Sequence, residues 1–253
     1  MSRSTPAPAP RPAIARSLLR SFLVQGSWNY RTMLGCGFAF ALLPALRRLF
    51  GASPAALDAA TRRHLELFNA HPYLVGIALG AVLRLEAEGA DPETIRRFKL
   101  AVRGPLGSLG DALVWAAWLP ALSLLALAVY WLGAPGWLAV AGFLVVYNVG
   151  HVGLRLWGFR VGLEGGLDVG VLLRNADLGR WTARLRAVVA LLLGVVAGAL
   201  LAGDRALAGA GAGWAAVAAA AFVVGLAVGH RAWRPAAATV VAAIALLAAL
   251  GQT

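Results

Sequence analysis

The chain has 253 residues, 60% of them hydrophobic and only 13% charged, with a mean hydropathy of +0.74. A soluble domain carries about 25% charged residues, so the composition argues against a cytosolic fold. The formal net charge is +12, and every basic residue except Lys99 is an arginine. The arginines fall in the breaks between apolar stretches, as at Arg180, Arg184 and Arg186 and at Arg231 and Arg234. That is the pattern of cytoplasmic loops, and it speaks against nucleic-acid binding. Between Arg103 and Arg155 there is no Lys or Arg, and Asp111 is the only acid. So long an apolar run reads as membrane-spanning. Cys36 is the single cysteine, which leaves no internal disulfide and no thiolate metal cluster.

Residues 1–12 hold four prolines among Ser, Ala and Arg, the composition of a disordered tail. Arg16 and Arg20 interrupt the first apolar stretch, so the N-terminus does not read as a secretory signal. Over residues 13–24, Ile14, Leu18 and Phe22 recur every four positions with the two arginines opposite. This predicts an amphipathic helix lying in the cytoplasmic interface. Residues 35–46 are apolar, but a dozen residues with Pro44 among them fall short of a hydrocarbon core of about 30 Å. A broken or re-entrant element is expected, with Pro44 as its break.

Ser53 before Pro54, followed by Asp58 and Arg62 at i, i+4, predicts a polar helix over residues 53–68. The His71-Pro72 step opens a second short apolar piece running to Leu83. Asp91-Pro92-Glu93 caps a basic helix to about Val102. Residues 104–111, GPLGSLGD, hold three glycines and a proline. Such a segment is not expected to stay regular helix at membrane depth unless protein or a cavity receives the freed backbone groups. Five strong spans come next, near residues 112–132, 137–157, 187–202, 213–229 and 236–250. Starting from a cytoplasmic N-terminus, five crossings put the basic segment 155–186 and Arg231 and Arg234 inside.

The expected fold is therefore all-α: a polytopic helical membrane protein with about five full spans, short broken or re-entrant helices and an N-terminal interfacial amphipathic helix. After the tail at 1–12, residues 13–253 read as one membrane domain, with an interfacial and re-entrant part at 13–111 and a transmembrane part at 112–253.

In so apolar a chain, the informative residues are polar ones beside broken helices. Three clusters qualify: Gln25-Gly26-Ser27-Trp28-Asn29-Tyr30, the stretch from Arg62 to Pro72, and residues 104–111. Amides and carboxylates exchange hydrogen bonds with sugar hydroxyls, and an aromatic face packs on a pyranose ring. The candidate substrate contacts are Asp111, Asn69, His71, Gln25, Trp28, Asn29 and Glu66. Each also has a structural reading. Trp28 with its neighbours suits an interfacial anchor, and Asn69 suits a helix C-cap. His71 suits a hydrogen-bonded structural histidine, Glu66 a partner for Arg62 or Arg63, and Asp111 a cap for the next helix. His64 and His71 are too far apart in sequence for an i, i+4 metal pair. No phosphate loop, dinucleotide fingerprint or nucleophile elbow occurs, so neither cofactor nor catalytic set is expected.

Several of these stretches also carry a family resemblance. QGSWNY at residues 25–30, GFAFALLPALRRLF at 37–50, RRHLELFNAHPYLVGIALGAVLRLE at 62–86 and GPLGSLGD at 104–111 resemble the IID subunit of the mannose/fructose/sorbose family of bacterial sugar phosphotransferase systems. The resemblance covers about residues 14–175. It implies a transporter subunit of the bacterial inner membrane that pairs with a IIC chain, several such pairs assembling together. A hexose would pass inward and be phosphorylated by IIB, itself charged by IIA, so the chain would not be the enzyme. Leu119-Pro120 stands where the family usually has Arg-Pro, and Ala112 where it has Pro or Ser. These departures motivate a second reading, a diverged IID-like scaffold or regulatory membrane protein without sugar transport.

Overall fold

A computed structural model describes residues 11–202, and among them the chain is helical with no strand. The helices are α1 (Arg11–Ser21), α2 (Gly35–Phe50), α3 (Pro54–Leu65), α4 (Val75–Ala87), α5 (Pro92–Gly110), α6 (Leu119–Trp131), α7 (Gly136–Gly165), α8 (Val169–Ala176) and α9 (Leu178–Ala202). A π-helical turn, Asp111–Trp118, joins α5 to α6, and a 3₁₀ turn, Gly166–Asp168, joins α7 to α8. The spans expected at 213–229 and 236–250 lie outside the described residues, as does most of the tail at 1–12, whose last two positions open α1.

The described chain forms two compact units. One comprises the residues up to Ala112 together with Asn148–Leu178; the other comprises Leu113–Tyr147 and the part from Gly179 onward. The core of the first unit is built from Leu34, Phe38, Leu42 and Leu46 of the α2 segment, Phe68, Leu74, Ile77, Leu79, Leu83 and Leu85 of the α4 segment, and Ile95 and Leu106 of α5. α4 is buried along nearly its whole length, as an all-round apolar helix must be. The second unit exposes Leu125, Leu127, Trp137, Leu138, Val140, Leu144 and Val145. Two helical runs, Pro92–Tyr130 and Gly136–Gly194, are long and apolar enough to cross a bilayer.

Local signals account for the starts of α3 and α5. Ser53 accepts a hydrogen bond from the Ala56 amide at 3.3 Å with Pro54 in the first turn, and Asp58 pairs with Arg62 at 2.7 Å. Asp91 accepts from the amides of Glu93 and Thr94 at 3.0 and 3.2 Å. α3 stops at Leu65, three residues before the expected end, because Phe68 is drawn out to pair with the 29–33 segment.

Three expectations are corrected. Pro44 does not break its element: α2 runs through it. Proline removes the amide that would bond the carbonyl four residues back, which is that of Phe40. Arg20 of α1 supplies a donor instead, its Nη1 lying 3.3 Å from the Phe40 oxygen and its guanidinium 4.5 Å above the Phe40 ring. The glycine-rich stretch 104–111 does not interrupt the helix either. α5 continues to Gly110, and the wider π-turn absorbs the geometry ahead of Pro120. The basic segment 155–186, expected as a connection between two spans, is helical except at the turn of Asp177, running from Arg155 inside α7 through the 3₁₀ turn and α8 into the start of α9.

α4 and α7 meet through glycines. A Cβ on Gly80 would overlap the Phe159 carbonyl oxygen, and one on Gly162 would overlap that of Ile77. Gly76 and Gly158 lie on the same contact, close to Arg155, Phe159 and Ile77. Each helix thus presents a small-xxx-small pair that lets the two backbones touch.

Candidate functional site

The residues singled out in sequence all lie on the first unit: Gln25, Trp28 and Asn29 in the loop after α1, Glu66, Asn69 and His71 in the α3–α4 connection, and Asp111 just after α5. After α1 the chain winds through successive turns, with Val24 donating to the Ser21 carbonyl at 3.2 Å and Trp28 to Gln25 at 3.1 Å. Asn29 organises the next turn. Its amide oxygen accepts from the Arg31 and Thr32 amides at 3.0 and 2.9 Å, while its nitrogen donates to Thr32 Oγ1 at 2.9 Å and the Ser27 carbonyl at 3.2 Å. Much of the hydrogen-bonding capacity of Asn29 is thus committed to its own turn. Gln25 is exposed, and Trp28, 46% exposed, meets Tyr30 edge-on at 4.8 Å.

The turn is fastened to the α3–α4 connection by Phe68, which donates to the Thr32 carbonyl at 3.2 Å and accepts from the Leu34 amide at 2.8 Å. Glu66 is exposed and pairs with Arg96 of α5 at 2.9 Å, rather than with Arg62 or Arg63. Asn69 is exposed. His71, two residues on, is buried, and its carbonyl accepts the amides of Leu74 and Val75 that open α4. Its Nδ1 accepts from the Tyr73 amide at 3.2 Å, which places the imidazole proton on Nε2. Burial holds the His71 ring well below the ordinary imidazole value, at about 4. The nearby Asp111 charge opposes this shift, and Arg155 and His151 reinforce it.

α5 ends against that ring. A Cβ on Gly110 would overlap Cβ and Cγ of His71, so only glycine lets the helix end arrive there. Asp111, the next residue, is exposed. His71 and Asp111, two candidates 40 positions apart in sequence, are thereby brought to one place.

Three residues that the sequence pattern did not single out complete the cluster: Tyr73, His151 and Arg155. Arg155 is 2% exposed; its Nε donates to His151 Nε2 at 2.7 Å, and its Nη1 to the Ser21 carbonyl at 2.7 Å. The guanidinium lies over the rings of Phe22 and Tyr73, 4.9 and 5.5 Å from their centroids, and His151 stacks on Tyr73 at 3.9 Å and 16°. Tyr73 in turn meets His71 edge-on at 5.2 Å. The signal was present: His151 and Arg155 are spaced i, i+4 at the end of a long apolar run, and an ionisable residue within such a run marks a functional region.

A second buried group lies under α2. Glu86 accepts from Arg63 Nε at 2.6 Å, Arg63 Nη2 at 2.5 Å and His64 Nε2 at 2.7 Å, while Lys99 Nζ donates to the Arg63 carbonyl at 2.5 Å. Burial pushes the Glu86 carboxyl up, but the hydrogen bonds from His64 and Arg63 prevail and leave it below the usual range. Burial lowers His64 below its ordinary value, against the pull of Glu86. The neutral ring fits the geometry, since Nδ1 is buried with no hydrogen-bond partner among the described residues and a second N–H there would be stranded. This network spends its charges on itself and binds α3, α4 and α5 together.

A family model described as "PTS system mannose/fructose/sorbose family IID component" matches residues 11–203. The chain is 36% identical over 156 residues to the mannose-specific EIID component of Escherichia coli strain K12, covering 60% of this chain and 54% of that protein. It is 28% identical over 159 residues to the fructose permease IID component of Bacillus subtilis strain 168, covering 60% and 56%. Against the sorbose-specific EIID component of Klebsiella pneumoniae the identity is 32% over 165 residues, with coverage of 60% and 56%. The chain thus spans about half the length of the curated relatives it matches. Among solved structures, it is similar to a chain in the cryo-EM structure of the mannose transporter ManYZ with microcin E492, at TM-score 0.58 and 30% identity over 75% of this chain and 70% of that one. A structure described only as a membrane protein gives TM-score 0.67 at 30% identity, covering 76% and 71%.

Proposed function

The chain belongs to the IID components of the mannose/fructose/sorbose family of phosphotransferase systems, and on that premise we propose that it moves a hexose inward together with a IIC subunit, the sugar being phosphorylated by IIB charged from IIA. It is a membrane component of sugar transport, and phosphoryl transfer falls to the partners. We place it in the bacterial inner membrane with a cytoplasmic N-terminus, about five crossings and several IIC–IID pairs per assembly.

The observation that carries this reading is the meeting of His71 and Asp111 at Gly110, where a broken helix connection adjoins the end of α5. Non-helical backbone in such a protein is expected where it lines protein or a cavity. A neutral imidazole, a carboxylate and the aromatic ring of Tyr73 suit a ligand rich in hydroxyls and without charge. Gln25, Trp28 and Asn29 in the loop after α1 and Asn69, two residues before His71, are further candidate contacts, with Asn29 acting chiefly through the shape of its turn; Glu66, also a candidate, is engaged by Arg96 near the end of α5 that lies opposite Gly110. Phosphorylation makes the sugar an anion that cannot return through an apolar barrier, which gives the transport its direction.

The test is uptake of labelled mannose, glucose and fructose by cells that lack other hexose permeases and carry this chain, its IIC subunit and the IIA and IIB proteins. Uptake that depends on this chain, and that falls at least tenfold with Asp111→Asn, is the expected result; tenfold corresponds to about 1.4 kcal/mol. A stable complex with IIC but no uptake would overturn the transport reading in favour of the scaffold.

A further inference from the structure

We propose that Arg155 is a positioning residue, which ties the end of α1 to the His71–Tyr73 turn and so sets the pose of the 22–33 loop beside the candidate sugar site. The link to sugar rests on the transport reading above; the tie itself does not. Burying a cation is costly unless its surroundings are fixed to receive it. The partners of Arg155 among the described residues are a carbonyl, an imidazole and two aromatic faces. That set makes use of features particular to arginine: a planar face that stacks and a rigid fork whose donors point two ways at once.

One branch of the fork reaches the Ser21 carbonyl, at the last residue of α1. The other reaches His151 Nε2, and since arginine has no acceptor, His151 must carry its proton on Nδ1. The oriented ring lies flat on Tyr73, whose amide donates to His71 Nδ1. On the α1 side the loop begins at Phe22, packed under the guanidinium, and runs to Asn29 and Thr32. Arg155, on a third element, α7, therefore holds the end of α1 and, with His151, the His71–Tyr73 turn.

The chain carries its own reporter. Cys36, the only cysteine, sits beneath the loop, with Thr32 Oγ1 at 3.5 Å and Asn29 Nδ2 at 3.8 Å from its sulfur. The residue is already partly exposed, and release of the loop at its root exposes the thiol further. Membranes holding the full chain with its IIC subunit are treated with N-ethylmaleimide, and alkylation of Cys36 is followed by mass spectrometry. Arg155→Lys, which keeps the charge and loses the fork, and Arg155→Met each raise the rate about tenfold, the effect of losing one charge-assisted hydrogen bond from a local opening equilibrium. His151→Leu, which removes the acceptor, also raises it, and His151→Gln, which restores an acceptor, returns it toward the parent rate. In the same membranes the variants that release Cys36 raise the KM for hexose while uptake at saturation changes little.

A parent-like Cys36 rate in Arg155→Met and His151→Leu would overturn the tie, as would equal rates for His151→Gln and His151→Leu. If the Arg155 variants do not accumulate, the His151 pair decides the matter. A faster thiol with an unchanged KM would overturn the positioning role. Absence of uptake by the parent chain would overturn the transport reading, and the thiol rates would still decide the tie.

Discussion

Replacing Gly80 by alanine tests the close contact of α4 and α7 in the first unit. The added methyl would overlap the Phe159 carbonyl oxygen and stand 2.7 Å from the Leu163 nitrogen and 3.1 Å from the Gly162 carbonyl carbon. All three are backbone atoms of α7, so no side chain can rotate aside. Ordinary contact begins near 3.4 Å, so the Leu163 nitrogen alone must retreat about 0.7 Å (3.4 minus 2.7). A gap of that size forfeits a quarter to a half of each dispersion contact across the interface, and forced overpacking of this kind costs up to about 3 kcal/mol. Alanine returns about 1 kcal/mol through its helix propensity, for a net loss of about 2 kcal/mol. For a domain of this size that lowers Tm by about 4–8 °C, measurable by thermal unfolding of the purified chain in detergent. Gly107→Ala is the control, because a Cβ there meets nothing within 4 Å, and it should hold or raise Tm. A Gly80→Ala protein as stable as the parent would refute the close-contact argument.

Glu86→Gln leaves the Arg63 guanidinium with no full counter-charge at a site where the carboxylate is 2% exposed, and is expected to cost about 3–5 kcal/mol, seen as loss of folded protein or a fall in denaturation midpoint. The buried His71 predicts acid sensitivity. Its stabilising contribution is full above the unfolded value of about 6.5 and is lost as the pH falls toward the folded value of about 4. His64 acts in the same direction, so Tm should fall across this window and the slope should flatten in His71→Gln. Finally, Arg20→Ala should cost about 1 kcal/mol in the parent chain and clearly less in a Pro44→Ala background, where the Phe40 carbonyl regains its own helical donor; a double-mutant cycle with no coupling would refute that account.

The legible parts of the fold were those governed by local chemistry. Ser53 with Pro54, and Asp91 with Pro92, announce their helices because a cap is satisfied within three residues. Pro44 and the glycines of 104–110 were misleading for the opposite reason: what keeps those helices continuous is remote or geometric, a guanidinium from α1 in one case and a π-turn in the other. The return of α7 to pack on α4 depends on glycine pairs 82 positions apart (Gly76 with Gly158, Gly80 with Gly162), a match that composition alone does not disclose. At the site, polarity beside broken helices pointed to His71 and Asp111, which the fold does bring together. It could not show that Glu66 is engaged by Arg96 or that Asn29 shapes its own turn, since both depend on which neighbours the tertiary structure supplies. Arg155 reads as a loop residue because charge at the end of an apolar run usually marks the membrane boundary; its burial against Ser21, 134 residues earlier, is a tertiary fact.

The bond from Arg20 to the Phe40 carbonyl also bears on how such sequences can diverge. A helix that contains a proline and borrows its missing donor from another helix makes two distant positions answerable to each other. A descendant that loses the proline frees position 20 to drift toward any residue that suits the surface. One that loses the arginine first carries a bare carbonyl until the proline is replaced. Substitutions at 20 and 44 should therefore follow an order, proline before arginine, and lineages that retain Pro44 should retain a long donor at 20.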